Sequence, residues 1–250
     1  MANHEPDPNF WRDTFRRLRL PFNRRRAMQR LREYHASPRT LDEVVSWAMD
    51  FGGGGLMRIK TLQRRSEITR LAEAVRELNP KLILEIGTAR GGTLLIWSTL
   101  ASEEVITCDL NDLTAQTPLF TRLPPPGSNC RVTLLSGNSH EPSFKARVAA
   151  ALAGRQVDFL FIDGDHREAG VTADYLDYAG FVRPGGLIAF HDIVENQPLP
   201  TNQVYPFWQR LKQVAEVREF IDEPSQCGFG IGIMRVPESG APALPDPASR

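Results

Sequence analysis

Two clusters of ionisable side chains are the most reactive feature of this 250-residue sequence. Asp163, Asp165 and His166 follow a run that is apolar from 157 to 162 except for Asp158, and His191 and Asp192 follow the run GGLIAF. Short apolar runs of this kind read as buried strands. Neighbouring parallel strands lie about 4.8 Å apart, so groups at their ends can face one cleft. Carboxylates with an imidazole make a donor set for a divalent cation. Mg2+ takes oxygen ligands and keeps waters, whereas an imidazole widens the choice toward Mn2+, Fe2+ or Zn2+. His166 has an ordinary pKa of about 6.5, suited to removing a proton near neutrality. The competing reading has both imidazoles capping strands and holding loops; two histidines among three acids at one edge favour chemistry.

Those side chains need a scaffold, and the segment LILEIGTARGGT (82–93) supplies its corner. An apolar strand ends near Glu85, turns through Gly87 and Thr88, and enters a helix after Gly91 and Gly92. Strand, glycine turn and helix form a ligand-binding corner at the carboxyl edge of an open sheet. The spacing G-x-x-x-G-G departs from the dinucleotide pattern G-x-G-x-x-G, which argues against a nicotinamide cofactor. An acid at Glu85 suits a ligand with a cationic amino or sulfonium group. Asp109 closes the next strand, VITCDL, about twenty residues beyond the glycine turn, where an acid can accept from both hydroxyls of a ribose. The third strand ends in SGNSH, giving Asn138 and Ser139 as small polar partners for an adenine, or simply as turn residues.

Further runs (EVITCDL, RVTLLSG, VDFLFIDG, a run near 217–221, and GFGIGIMRV) alternate with helical segments. This predicts an α/β fold: a Rossmann-like, doubly wound, mostly parallel seven-stranded sheet with the last strand antiparallel. Helices are predicted at LDEVVSWAMD, capped by Ser37 or Thr40 and stopped by the four glycines 52–55, and over 65–78, ended by Asn79-Pro80. The tetraglycine reads as a hinge or lid, and the proline-rich 117–129 as a surface loop. Residues 1–60 form a basic helical extension. Its arginines surround Phe10, Trp11, Phe15, Leu18 and Leu20, whose apolar side covers the core while the charge stays in solvent. The domain proper is 61–236, and 237–250 reads as a disordered tail.

Thirty basic residues balance thirty acidic ones, so no whole-chain field draws nucleic acid. Three widely spaced cysteines without paired spacing fit a reducing compartment. No run spans a membrane and no secretory signal is legible, so a cytoplasmic location is expected.

LEIGTARGGT, CDL, DFLFIDGDH and RPGGLIAFHD together resemble class I S-adenosylmethionine (SAM)-dependent methyltransferases over roughly 60–236. The likeness is closest to small-molecule O-methyltransferases, including the catechol type and the FIDGDH-bearing group that contains sugar and macrolide methyltransferases and proteins named cephalosporin hydroxylases. The resemblance implies SAM as cofactor, held by Glu85, Gly87, Thr88, Gly91, Asp109, Asn138, Ser139 and Asp163. It implies a divalent metal, Mg2+ or Mn2+, at Asp163, His191 and Asp192, and a base at His166. His191 stands where such relatives usually carry an acid. The implied acceptor is a hydroxylated small molecule, a sugar or natural product, and a homo-oligomer is compatible with this. A non-catalytic SAM-binding scaffold and a metal-dependent hydroxylase are the alternatives.

Overall fold

The structure is a computed structural model. It describes residues 8–245, with side chains from Arg19 to 245. The side chains expected to cover the core from Phe10, Trp11, Phe15 and Leu18 lie outside the described residues; Leu20 is half-buried against the core.

The chain begins with α1 (Pro8–Tyr34), α2 (Leu41–Met49) and α3 (Arg65–Leu78), then alternates through β1 (Leu82–Ile86), α4 (Gly92–Leu100), β2 (Glu104–Asp109) and α5 (Thr117–Phe120). It continues with β3 (Arg131–Ser136), α6 (Pro142–Leu152), β4 (Val157–Ile162), α7 (Glu168–Tyr178), β5 (Val182–His191), α8 (Val204–Leu211), β6 (Val217–Phe220) and β7 (Ile231–Arg235). The seven strands form one sheet in the order β3-β2-β1-β4-β5-β7-β6. Pairing from β3 to β5 is parallel, and β7 runs antiparallel to both β5 and β6. This is the Rossmann-like doubly wound sheet predicted from the sequence.

Alternation along the strands sends side chains into two layers. Ile83, Val105, Phe159 and Leu187 pack with buried residues of α1 to α4. Leu84, Ile106, Leu160 and Ile188 pack with α6, α7 and α8. Both faces are covered, as a parallel sheet requires. No helix among the described residues is long and apolar enough to cross a membrane.

The N-terminal segment belongs to the first of these layers. Thr40 caps α2 in a reciprocal box with Glu43. After it, Gly52 bridges Ile59 in antiparallel fashion, so the glycine run closes a short loop. Val45, Phe51, Met57 and Ile59 are fully buried in the same core as Ile83. Lys60 then pairs with Gly91, and a Cβ on Gly92 would collide with the Lys60–Thr61 backbone. The third glycine of the corner is therefore needed for chain packing.

Two segments differ from expectation. The stretch 117–129 is not wholly surface loop: α5 forms at its start, and Leu119, Phe120 and Leu123 are buried because the apolar side of that turn has a core to meet. Of 237–250, the described part, 237–245, carries no helix or strand. Ala241 and Leu244 nevertheless lie against the α7 layer, and the Tyr175 hydroxyl donates to the Pro242 carbonyl at 2.7 Å.

Candidate active site at the carboxyl edge of the sheet

The strand order reverses between β1 and β4, and a cavity of about 640 Å³ opens there, outside the carboxyl ends of the parallel strands. A cavity at this switch point is the expected ligand position in such a sheet. Gly87, Asp109, Asn138, Ser139, Asp163 and His166 all stand on its wall.

The glycine corner works differently from the sequence argument. Gly87 and Thr88 both donate their backbone N–H to the Cys108 carbonyl, at 2.8 and 3.0 Å, so these donors are spent inside the fold. Gly87 has φ +105°, and a Cβ there would strike the Asp163 carbonyl. What it contributes is an unobstructed floor. Ala89 N–H and Asn111 N–H each donate at 2.7 Å to opposite oxygens of Asp109. The carboxylate is thus fixed at the rim, with acceptor capacity to spare for a ligand's hydroxyls.

Glu85, Thr88 and Gly91 do not line the cavity. Glu85 is fully buried beneath it, accepting from Trp97 Nε1 at 2.9 Å and Thr107 Oγ1 at 2.6 Å. Burial pushes its carboxyl up to about 7, and the donated hydrogen bonds only partly offset this. Thr88 joins the same network through Thr107. Gly91 starts α4 in the left-handed region, where a Cβ would meet the Phe120 ring. On the far side, Asn138 Oδ1 accepts from His140 N–H at 3.1 Å, and the Ser139 carbonyl accepts from the Tyr178 hydroxyl at 2.6 Å, so this loop is anchored from α7.

At the other end Asp163 and His166, which follow β4, reach the cavity wall, whereas His191 and Asp192, from the end of β5, are buried behind it and do not line the cavity. His191 Nδ1 lies 3.1 Å from Asp163 Oδ1 and 3.5 Å from Asp192 Oδ1. These three residues each present a donor atom within 4.8 Å of the others, a set able to hold a metal ion. Asp192 turns in the left-handed region, φ +64°, which aims its carboxylate back over the sheet. Its Oδ2 faces His166 Nδ1 at 2.8 Å and accepts from Asn202 Nδ2 at 2.6 Å. His166 Nε2 is left facing inward, 3.9 Å from Asp163 Oδ1. Asp165 stands apart, paired with Arg167.

The electrostatics follow from these contacts. Hydrogen bonding to Asp192 holds the His166 imidazole above its ordinary range, against a smaller effect of burial. Burial opposes charge on Asp192, but His166 and His191 keep its carboxyl low. Burial likewise opposes charge on His191, and the Asp163 and Asp192 carboxylates overcome it, raising the imidazole to about 9. Its Nε2 is buried with no hydrogen-bond partner among the described residues. Two close carboxylates and one imidazole are a donor set that a divalent cation fits.

Three contributors were not read from the sequence. Gln63 is buried and donates through Nε2 to Asp163 Oδ2 at 2.6 Å, and it is itself held by Thr61. Asn202 bridges Asp192 and the Gln197 side chain. Glu67 on α3 is fully buried, accepting from Gln226 Nε2 at 2.7 Å and Gly230 N–H at 2.9 Å. An amide 100 positions before its partner carries no local signal, and Glu67 sits in the first turn of a helix, where an acid ordinarily serves the dipole.

Comparison with known proteins agrees with this geometry. The profile of a family described as "Methyltransferase domain" matches residues 84–193. No curated protein matches the sequence. Among solved structures, the O-methyltransferase TomG from Streptomyces achromogenes, in complex with SAM, is 15% identical with a TM-score of 0.56, over 80% of this chain and 91% of that one. An O-methyltransferase from Bacillus cereus, in complex with S-adenosylhomocysteine (SAH), is 18% identical with a TM-score of 0.52, over 79% and 92%. MycE from the mycinamycin biosynthetic pathway, in complex with Mg and SAH, is 15% identical with a TM-score of 0.55; 84% of this chain covers only 56% of that one. The chain shares the fold of these methyltransferases, and its residues 84–193 match the methyltransferase-domain profile.

Proposed function

We propose that this chain transfers a methyl group from SAM to a hydroxyl oxygen of a small acceptor, a sugar or natural product. The observation that carries the reading is convergence. Asp109, on the β2 side of one cavity, and Asp163 and His166, on its β4 side, bracket a floor kept clear by Gly87, with Asp192 held against His166 behind the wall. Solved neighbours of similar fold hold SAM or SAH, and two of them belong to tomaymycin synthesis and the mycinamycin biosynthetic pathway, which supports the donor and the acceptor class.

In this reading Asp109 accepts from the ribose hydroxyls, while Asn138 and Ser139 border the adenine. SAM supplies a methyl made electrophilic by its sulfonium. His166 takes the acceptor's proton at Nε2; Asp192, on Nδ1, fixes the ring's orientation and tautomer. Asp163, His191 and Asp192 would hold a divalent cation, whose positive charge would favour the ionised form of the acceptor hydroxyl. Gln63 restrains Asp163, and Asn202 restrains Asp192, so both carboxylates are positioned before a ligand arrives. Glu85 supports the corner from beneath and makes no cofactor contact. With these requirements the expected setting is cytoplasmic, where SAM is made.

Calorimetry with SAH, followed by methyl-transfer assays over a panel of hydroxylated acceptors, tests the proposal. Binding is expected, and turnover that disappears in His166→Ala while binding persists. Absence of SAH binding at millimolar ligand removes the cofactor assignment. Binding with no turnover on any acceptor favours a SAM-binding scaffold instead.

A further inference from the structure

We infer that His191, backed by the buried carboxylate of Glu67, tunes the cation site toward first-row transition ions such as Mn2+ and away from Mg2+. The inference rests on the proposed metal site and specifies which ion it takes and what orients its nitrogen ligand.

Two observations carry it. The first is the donor set: two carboxylates with an imidazole wedged between them, Nδ1 at 3.1 Å from Asp163 and 3.5 Å from Asp192. Mg2+ prefers an all-oxygen shell, whereas an imidazole raises affinity along the series from Mn2+ toward Cu2+. The second is what lies behind the ring. For Nδ1 to offer its lone pair, the proton must sit on Nε2, and that atom is buried with no partner among the described residues. Ligating histidines ordinarily give this proton to a carboxylate or carbonyl, which fixes the ring and strengthens the ligand. Glu67 is a fully buried acid on α3, which packs against β5 and β7 where they pair at His191. Gln226 and the Gly230 N–H anchor it, and Gly230 precedes Ile231, the strand partner of His191. Glu67 belongs to α3, outside the β4 and β5 edges that supply the ligands. It is a positioning residue and touches no substrate.

The test uses the full chain freed of metal by a chelator and titrated with Mn2+, alone and against Mg2+. Loss of the free-ion electron paramagnetic signal reports binding, and pulsed detection of nitrogen-14 coupling reports imidazole ligation. Mn2+ is expected to bind with nitrogen coupling, and Mg2+ to compete poorly. His191→Asp should abolish the coupling and narrow the preference for Mn2+ by roughly tenfold or more, while Glu67→Gln should keep the coupling and weaken Mn2+ binding by roughly tenfold. Calorimetry with SAH confirms that each variant is folded. Mn2+ bound without nitrogen coupling, and displaced by equimolar Mg2+, overturns the inference and leaves the metal site standing. Failure of the wild-type chain to bind either ion overturns both.

Discussion

The two ends of the cavity are built on different plans. The β1–β3 end is made by main chain: a glycine with no side chain, amides consumed by Cys108 and Asp109, and one half-buried carboxylate at the rim. The β4–β5 end is made by side chains stacked in depth: Gln63 on Asp163, Asn202 on Asp192, and His191 between the acids. The first plan depends on local chain path and tolerates little change of shape. The second depends on partners brought from distant segments, so its chemistry can be altered while the shape is kept.

His166→Ala should separate the ends most sharply. Turnover is expected to fall roughly a hundred- to ten-thousandfold, the usual worth of a positioned base, with SAH affinity by calorimetry nearly unchanged. Equal losses in both quantities would show that the two ends are one unit. Gly87→Ala attacks the other end. The residue has φ +105° and faces the Asp163 carbonyl, so a loss of about 3 kcal/mol in stability is expected. Thermal unfolding should show it together with loss of SAH binding, since the floor itself moves.

Glu85→Gln sharpens the comparison below the floor. The folded chain holds the Glu85 proton with a pKa of about 7 against 4.5 for the free group. The folded state therefore binds more protons across that window, and stability falls as pH rises through it, then levels off. The variant removes this slope, worth about 3 kcal/mol from the size of the shift. Chemical denaturation of both proteins on either side of the window measures it; parallel curves would mean that Glu85 stays charged. Asp109→Asn is expected to have the smallest effect. It should weaken SAH binding by about tenfold through loss of a charged acceptor, with turnover at saturating SAM little altered.

The same division explains what the sequence could reveal. Strand positions, the glycine corner and the acids at strand ends are local patterns, because alternation and turn chemistry act within a few residues. All seven runs read as strands are strands, and Asp163, His191 and Asp192 do meet. Glu85 was legible as an acid at the right strand but not as one turned into the sheet, since its inward direction depends on Trp97 and Thr107. Gln63 and Glu67 were invisible for the same reason on a larger scale. Their partners lie far along the chain, and only the packing of α3 and the segment before it against the sheet brings them together.

That segment has an implication for how short a working version of this protein can be. Lys60 and Thr61 ride on the glycines that open α4, and residues just upstream fill the space beneath β1. A chain trimmed to the stretch matched by the methyltransferase profile would keep every residue of the cavity wall except Thr201. It would also lose the wedge that holds the helix behind the donor corner in place, leaving Asp163 untethered on one side. The smallest autonomous enzyme here begins well before its own catalytic signature.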